Sequence, residues 1–589
     1  MNKIIRACTR LKKGDFIKVS DYIANFLYAQ DVRHVFVVAG GMITYLLDSI
    51  HQHGKLTIID NHHEQAAAFA ADTVGRLTGI PGVAIATSGP GATNLLTGIG
   101  SCYFDSSPAV FITGQVNRNE QKGHSSVRQL GFQETDIVSI AKPITKGVWQ
   151  VPSPEQLPDL LERAFTVALS DRPGPVLLDI PMDVQRGHIS VDPPKKVTFS
   201  LDSVLTKGAM NELLAAMSAA KRPLILAGGG IHSARAVDLF RTFGGLVKVP
   251  VVNSLMAVDV LPYAHPLRVG MIGTYGNRWA NLAVGLSDFL LVLGSRLDIR
   301  QTGSDTTAFR GNRVIYHVDV DAAETNNRVT GCHAIISHLR PFLSTGIQVL
   351  NNRDWSGWSD WLVEIADLRN KYPDTAELQN IRGINPNEFM HKLASLSHKA
   401  AAYVMDVGQN QMWAAQSLEL ESDQRFMASG GMGSMGFALP ASIGATLACS
   451  KQPVVMISGD GGFQLNIQEL QTIASNDLPI KMIVLNNKCY GMVRQFQQSY
   501  FEERYTSTYR GYTAPDFTQV AQAYGIPACT IKTSSEVEGA MRRLWQNPRQ
   551  PVLMQVMIDP LLNVYPKIAF GRPITEMEPF AEPVKLEGT

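Results

Sequence analysis

The chain has 589 residues, 45% of them hydrophobic, enough for three or four domains that each bury a core. Lys and Arg number 53 against 52 Asp and Glu, a net charge of +1 with the signs evenly mixed, which excludes a basic nucleic-acid footprint or a charged membrane-surface face. Six cysteines (Cys8, Cys102, Cys332, Cys449, Cys489, Cys529) form no C-x-x-C pair, and no apolar stretch reaches the roughly 18 residues of a membrane span, so a reducing, cytoplasmic setting is expected, with Lys3, Arg6, Arg10, Lys12 and Lys13 on a solvated tail.

From residue 19 to about 183, helix-like and strand-like segments alternate: helix over 20–30, strand over 34–38, helix over 42–52, strand over 56–60, helix over 64–77, strand over 82–87, helix over 93–103, strand over 109–113. Such alternation predicts a parallel α/β domain. Two glycine-rich turns, Ala39-Gly40-Gly41-Met42 and Ser88-Gly89-Pro90-Gly91-Ala92, each follow a strand and precede a helix. Backbone there can approach a ligand closely, although ordinary strand-to-helix turns look the same. Between them, Asn61-His62-His63-Glu64-Gln65 opens a helix of small apolar residues. The helix dipole alone explains an acidic residue at that position; contact with a cofactor is the alternative.

Pro193-Pro194-Lys195-Lys196 marks a linker, and a second domain is expected over 204–350. Strand, turn and helix alternate again through LILAGGG (224–230), GMIGT (270–274), LLVLGSRLDIR (290–300) and HVDVD (317–321). The glycine triplet lacks the full G-x-G-x-x-G spacing of a dinucleotide site. A second linker, rich in Trp, Asp and Asn, is expected over 351–385, and a third domain over 385–589. In this domain an apolar run (453–457) leads into Gly459-Asp460-Gly461, a helical segment follows, and a second apolar run (480–485) ends in Asn486-Asn487. A right-handed βαβ crossover makes the two strands parallel and ends them at one edge, so Asp460 and Asn487 meet where open α/β sheets bind ligands. One carboxylate and one amide oxygen suit a hard cation that keeps its other positions for water and phosphate oxygens, hence magnesium and a diphosphate. Taken alone, Gly-Asp-Gly is a common tight turn and Asn-Asn a common cap.

The paired spacing resembles the fingerprint of thiamine diphosphate (ThDP) enzymes, and HEQAAAFAAD (63–72) resembles the catalytic-glutamate motif of the acetolactate synthase group. The likeness runs from about Lys18 to Pro573. It implies an α/β fold of three doubly wound parallel-sheet domains: pyrimidine-binding (1–190), central and FAD-binding-like (204–350), and diphosphate- and magnesium-binding (385–589). It further implies that Glu64 hydrogen-bonds N1′ of the aminopyrimidine and so promotes loss of the thiazolium C2 proton. Asp460, the Asn487 side chain and the Cys489 carbonyl match the magnesium ligands, while Gly41, Gln409, Asn410, Gly459, Gly461, Gly462 and Met492 fall at ThDP contacts. Met435 matches the bulky residue wedged beneath ThDP that brings its pyrimidine nitrogen near C2. Arg300 and Asp319 match contacts to an FAD in a non-redox role.

Several positions depart from that group. Asn410 replaces a histidine, which keeps a hydrogen bond and removes a titratable group. The segment 115–133 is longer before Phe132 and Gln133, which border the active-site channel. Met42 stands where a small residue lies beside the thiazolium, Met182 where a lysine lines the channel mouth, Ile299 where an aspartate is usual, and Phe496, in GMVRQF (491–496), where a tryptophan helps select a 2-oxobutyrate acceptor. The implied activity is decarboxylation of a 2-oxo acid, pyruvate first, with transfer of the acyl carbanion equivalent to a second carbonyl, as in acetolactate synthesis. Acetyl transfer to a non-standard ketone or aldehyde in sugar or secondary metabolism, or simple decarboxylation, are the alternatives. A degenerate scaffold is disfavoured by the retained Glu64, Asp460 and Asn487, and a nicotinamide dehydrogenase by the incomplete dinucleotide spacing; a flavin oxidase would be told apart by stoichiometric oxygen consumption. The resemblance also implies a homodimer or dimer of dimers, because the sheets carrying Glu64 and Asp460 meet one cofactor from different subunits. A regulatory subunit is a further partner; nucleic acid and membrane are not expected.

Overall fold

The computed structural model describes residues 12–198, 206–351, 355 and 357–584; Lys3, Arg6, Arg10 and Cys8 lie outside the described residues. Three six-stranded sheets organise the chain. The first runs, edge to edge, Thr57–Asp60, His34–Val37, Gly82–Ala86, Ala109–Gln115, Pro175–Pro181, Gly147–Gln150, with every pairing parallel. Its strands are near-continuous apolar runs because both faces are covered: Val35, Val37, Val83, Ile85, Val110 and Ile112 belong to one buried cluster, while Phe36, Ala84 and Phe111 on the opposite face are equally buried. The central sheet is ordered Arg268–Met271, Val251–Asn253, Pro223–Ala227, Phe289–Leu293, Val314–Asp319, His333–Ile336. The third is ordered Arg425–Ala428, Ala402–Met405, Val454–Gly459, Ile480–Asn486, Val552–Met557, Ala528–Ile531. The three doubly wound sheets agree with the fold class expected.

First and third sheets share one topology. In each, the earliest strand lies second from an edge, the chain then crosses to its other side, and the last two strands exchange places. The order therefore reverses beside the earliest strand, and a crevice opens there at the carboxyl ends. In the first sheet the loops after His34–Val37 and Gly82–Ala86 flank this point; in the third, those after Ala402–Met405 and Val454–Gly459 do. The glycine-rich turns and Gly459-Asp460-Gly461 of the sequence occupy these loops.

Packing separates the chain into two units: Met1–Ser200 with Ser429–Gln452 and Asn466–Ile480, and Leu201–Ala428 with Pro453–Leu465 and Lys481–Thr589. Within the first, helix Ala438–Ala448 lies along helix Glu64–Thr78 so closely that a Cβ on Gly444 would sit 2.2 Å from the Ala70 carbonyl oxygen. On another side, a Cβ on Gly98 would sit 2.2 Å from Ala68 Cβ. The alanine run after Glu64 is thus a requirement of close backbone packing, and Ala66 to Ala71 are fully buried.

Two expectations shift. The helix expected over 93–103 begins at Pro90, where Gly89 turns at φ 62° and Pro supplies the fixed first-turn φ, and divides into Pro90–Asn94 and Leu96–Phe104. The stretch expected as a linker over 351–385 contains helix Ser359–Lys371, whose Trp361 and Ile365 lie four apart on one face and enter the central core.

Candidate functional site

Glu64 is the first residue of the helix that follows the edge strand Thr57–Asp60 of the first sheet. His63 is the N-cap, its Nδ1 accepting from the Gln65 N–H at 3.0 Å, so the histidine shapes the helix start. Glu64 is buried, and its Oε2 accepts from the Asn94 side-chain amide at 2.9 Å. Oε1 faces Gly91, where an added Cβ would come within 3.2 Å. Gly41 begins a single 3-10 turn over open space, and the neighbouring Met42 N–H reaches Thr87 Oγ1 at 3.3 Å. Met435 is half-buried in the loop that Asp105 anchors through the N–H groups of Gly430 (3.1 Å) and Gly431 (2.6 Å).

Met42 and Phe132 line one cleft of about 460 Å³, together with Val116, Asn119, Glu120, Leu130 and Gly131. Phe132 is 78% exposed on its wall. Gln133 has φ 64° and lies against Gly89, where a Cβ would be 3.2 Å from the Gln133 carbonyl. The lengthened loop is pinned from inside by Glu134, which accepts from the N–H groups of Lys122 (2.7 Å), Leu130 (2.8 Å) and Gly131 (3.4 Å). Desolvation opposes its charge, but the N–H groups of Leu130, Lys122 and Gly131 outweigh it and hold this carboxyl below its ordinary range. Met182 starts a short helix and is not among the cleft-lining residues; its neighbour Asp183 holds Arg118 of the loop at 2.7 Å.

In the second unit, Asp460 is 1% exposed at the end of strand Val454–Gly459. Burial pushes its carboxyl up to about 7, against the Tyr512 hydroxyl and the N–H groups of Gly461 and Lys488. Its Oδ2 is buried with no hydrogen-bond partner among the described residues. A buried carboxylate oxygen without a donor is costly unless a cation occupies it, so the site fits a hard metal ion. Asn487 follows the adjacent strand Ile480–Asn486; its amide donates to Gln409 Oε1 at 3.0 Å and its Oδ1 accepts from the Cys489 N–H at 3.2 Å. Gly462 and Gly491 permit backbone approach: a Cβ would stand 2.2 Å from Asp406 Oδ1 in the first case and 1.9 Å from Gln409 Oε1 in the second. Asn410 turns its amide to the carbonyls of Asp406 (2.7 Å) and Ile457 (3.3 Å), tying the loop after Ala402–Met405 to strand Val454–Gly459. The Cys489 thiol is pushed up to about 12 by burial and donates to the Pro560 carbonyl at 3.4 Å, leaving its own carbonyl as the group of interest. Met492 and Phe496 lie on helix Gly491–Tyr500, where Met492 packs on the core and Phe496, 51% exposed, meets the Tyr500 ring at 4.7 Å in a tilted arrangement.

Arg300 is exposed on the turn Ile299–Thr302, and its carbonyl accepts from the Thr274 N–H at 2.7 Å. Asp319 ends strand Val314–Asp319, with Oδ1 accepting from the Asp321 N–H at 2.9 Å. Both stand at the carboxyl edge of the central sheet. Sequence reasoning missed Asn94, Tyr512 and Glu469. Asn94 had one signal, a lone amide in an otherwise small and apolar helix; the others had none.

Three family models match the chain in order: "Thiamine pyrophosphate enzyme, N-terminal TPP binding domain" over residues 17–140, "central domain" over 210–345 and "C-terminal TPP binding domain" over 406–556. By all three domains, then, this is a thiamine pyrophosphate enzyme. The chain is 37% identical to the acetolactate synthase isozyme 2 large subunit of Escherichia coli, covering 95% of this chain and 98% of the relative. It is 36% identical to the acetolactate synthase large subunit of Lactococcus lactis, covering 95% of each, and 34% identical to a probable acetolactate synthase large subunit of Methanocaldococcus jannaschii, covering 97% and 96%. The protein belongs to the acetolactate synthase large-subunit family. Among the described residues no helix is long and apolar enough to cross a membrane.

Proposed function

We propose that the protein is a ThDP- and magnesium-dependent carboligase that decarboxylates a 2-oxo acid, pyruvate in the simplest case, and joins the acyl unit to a second carbonyl compound. The observation that carries this is the partnerless Oδ2 of Asp460 beside Asn487 and Gln409. Bound ThDP supplies a nucleophilic thiazolium C2 and an electron sink for the departing carboxylate. Asp460, the Asn487 side chain and the Cys489 carbonyl would hold magnesium, with Gln409, Asn410, Gly459, Gly461 and Gly462 around the diphosphate. Glu64 would hold a proton at N1′ of the aminopyrimidine, oriented by Asn94. Gly41 would let backbone approach the ring, and Met435 and Met492 would pack against it. The apolar side chains of Met42 and Phe132 would exclude water where carbon dioxide leaves.

Two copies are the smallest active species in this reading, the first sheet of one serving the cofactor held by the third sheet of the other. The relatives are named large subunits, which supports a regulatory small subunit as a further partner. FAD is assigned to the carboxyl edge of the central sheet, near Arg300 and Asp319. Flavin retained after reconstitution and gel filtration is the expected result; a protein that never retains it would remove FAD from the reading.

The acceptor admits a second reading. Of the residues lining the Met42–Phe132 cleft, the charged one is the carboxylate Glu120, which favours a neutral ketone or aldehyde over a second 2-oxo acid anion. Incubation with pyruvate, ThDP and magnesium, with and without a panel of ketones, aldehydes and 2-oxo acids, and product identification by mass tests both. Acetolactate as the fastest product sinks the neutral-acceptor reading; acetaldehyde alone sinks the carboligase.

A further inference from the structure

Glu469 has no part in the roles above. It is fully buried, and among the described residues no lysine or arginine pairs with it. Its Oε1 accepts from the backbone N–H groups of His62 (2.8 Å) and His63 (3.1 Å), and its Oε2 from the Asn61 amide (2.9 Å) and the Thr472 hydroxyl (2.8 Å). The same hydroxyl stands 3.1 Å from the Asp60 carbonyl and 3.1 Å from His62 Nδ1. One turn earlier, Asn466 donates to Gln65 Oε1 at 3.1 Å and to the Gly436 carbonyl at 2.8 Å. Every residue from Asp60 to Gln65 except Glu64 itself is thereby held, directly or through its N-cap, by the segment 466–472.

A desolvated carboxylate is an expensive way to fill space: an apolar side chain of the same volume would pack without the desolvation cost. Its Oε1 is instead aimed at both peptide N–H groups immediately before Glu64, while Oε2 takes the Asn61 amide and the Thr472 hydroxyl. Charge-assisted bonds to backbone N–H groups are short and strong, and they fix the peptide planes as well as the position of the turn. We propose that Glu469 is a positioning residue for Glu64, setting where the Glu64 carboxyl stands by clamping the peptide units of His62 and His63. The inference rests on Glu64 acting on ThDP. Glu469→Gln preserves size but removes the charge that strengthens both backbone bonds to Oε1, and it puts a donor where Oε2 faces the Asn61 amide and the Thr472 hydroxyl, so the clamp is weakened and its side-chain support lost.

The test uses the full-length protein in two states. Without cofactor, amide hydrogen exchange at His62 and His63 is expected to speed up about 10–100-fold in Glu469→Gln, with the rest of the first sheet unchanged. With ThDP and magnesium bound, exchange of the C2 proton, followed by NMR, is expected to fall about 10–100-fold with ThDP affinity held within about threefold. In a Glu64→Gln background the Glu469 substitution is expected to add no further loss, as a residue acting only through Glu64 requires. Should Glu469→Gln fail to fold, Asn61→Ser, which removes one donor and leaves both backbone contacts, is expected to give a smaller loss in the same two measurements. Unchanged C2 exchange in a folded variant, or a loss that multiplies with that of Glu64→Gln, overturns the proposal. If Glu64→Gln itself leaves C2 exchange unchanged, the cofactor reading has failed and the positioning role falls with it, whatever amide exchange shows.

Discussion

Asn94 donates its side-chain amide to Oε2 of Glu64 across 2.9 Å, though 30 positions separate the two residues. One carboxylate oxygen is thus occupied and oriented from within the first domain. A hydrogen bond to a charged group is worth about 1.5–3 kcal/mol, so Asn94→Ala is expected to lower kcat about 10–100-fold while KM for pyruvate stays within about threefold. Steady-state kinetics read this directly; a change confined to KM would place Asn94 in substrate binding instead.

Gly491 is held to glycine by contact rather than by backbone angle. A Cβ there would lie 1.9 Å from Gln409 Oε1 and 2.9 Å from Asn487 Nδ2, so Gly491→Ala must displace the amide pair that orients a proposed magnesium ligand. Disturbed second-layer partners typically cost about 10–100-fold in metal affinity, and that loss is the expected result by titration calorimetry with magnesium and ThDP. Gly525→Ala, in open space but at φ 74°, is the control that strains the backbone without touching the site. It is expected to leave that affinity unchanged.

Asp179 links pH to stability. Burial pushes its carboxyl up to about 6, against hydrogen bonds from Gln150, Thr113 and Gln115. A folded pKa above the unfolded value means that the native state binds the proton more tightly. The stabilisation is therefore fully present below the unfolded pKa of about 4 and is lost as pH rises through about 6. Urea denaturation is expected to show Asp179→Asn gaining on the order of 3 kcal/mol relative to the unsubstituted protein across that window. A difference that does not vary with pH would refute the assignment.

Glu134 anchors the lengthened loop that carries Phe132. Glu134→Ala removes the acceptor for three backbone N–H groups, and the cleft wall loses its fixed shape. The expected effect is on selectivity: the ratio of coupled product from neutral carbonyl acceptors to acetolactate shifts severalfold, while the rate of carbon dioxide release changes little. Equal loss of both products would mean that the loop serves stability alone. Phe496→Trp, on the exposed face of its helix, is expected to raise coupling to 2-oxobutyrate relative to pyruvate in the same competition assay.

The alternation of apolar runs with helical segments made three parallel α/β domains readable, because strands buried on both faces must be apolar throughout. Asp460 and Asn487 were readable for the same reason: a crossover connection leaves two strand ends at one edge whatever lies elsewhere. Glu64 could be assigned only through its likeness to a family motif, since the helix dipole explains an acidic first residue equally well. The stretch after Leu350 was misread as linker because its charged and aromatic composition hides the Trp361–Ile365 face that enters the central core.

By itself the sequence determined which residues end the strands and open the helices, local consequences of periodicity and of the fixed hand of the crossover. The cofactor and the class of enzyme came from the likeness of its motifs to a family. Only the tertiary structure decided which polar groups complete them: Asn94 on Glu64, Gln409 on Asn487, Tyr512 on Asp460, and the Glu469 carboxylate beneath the turn at His62 and His63. Partners of that kind are set by the burial of unpaired donors and acceptors brought together from distant stretches of chain. No pattern along the sequence carries that information.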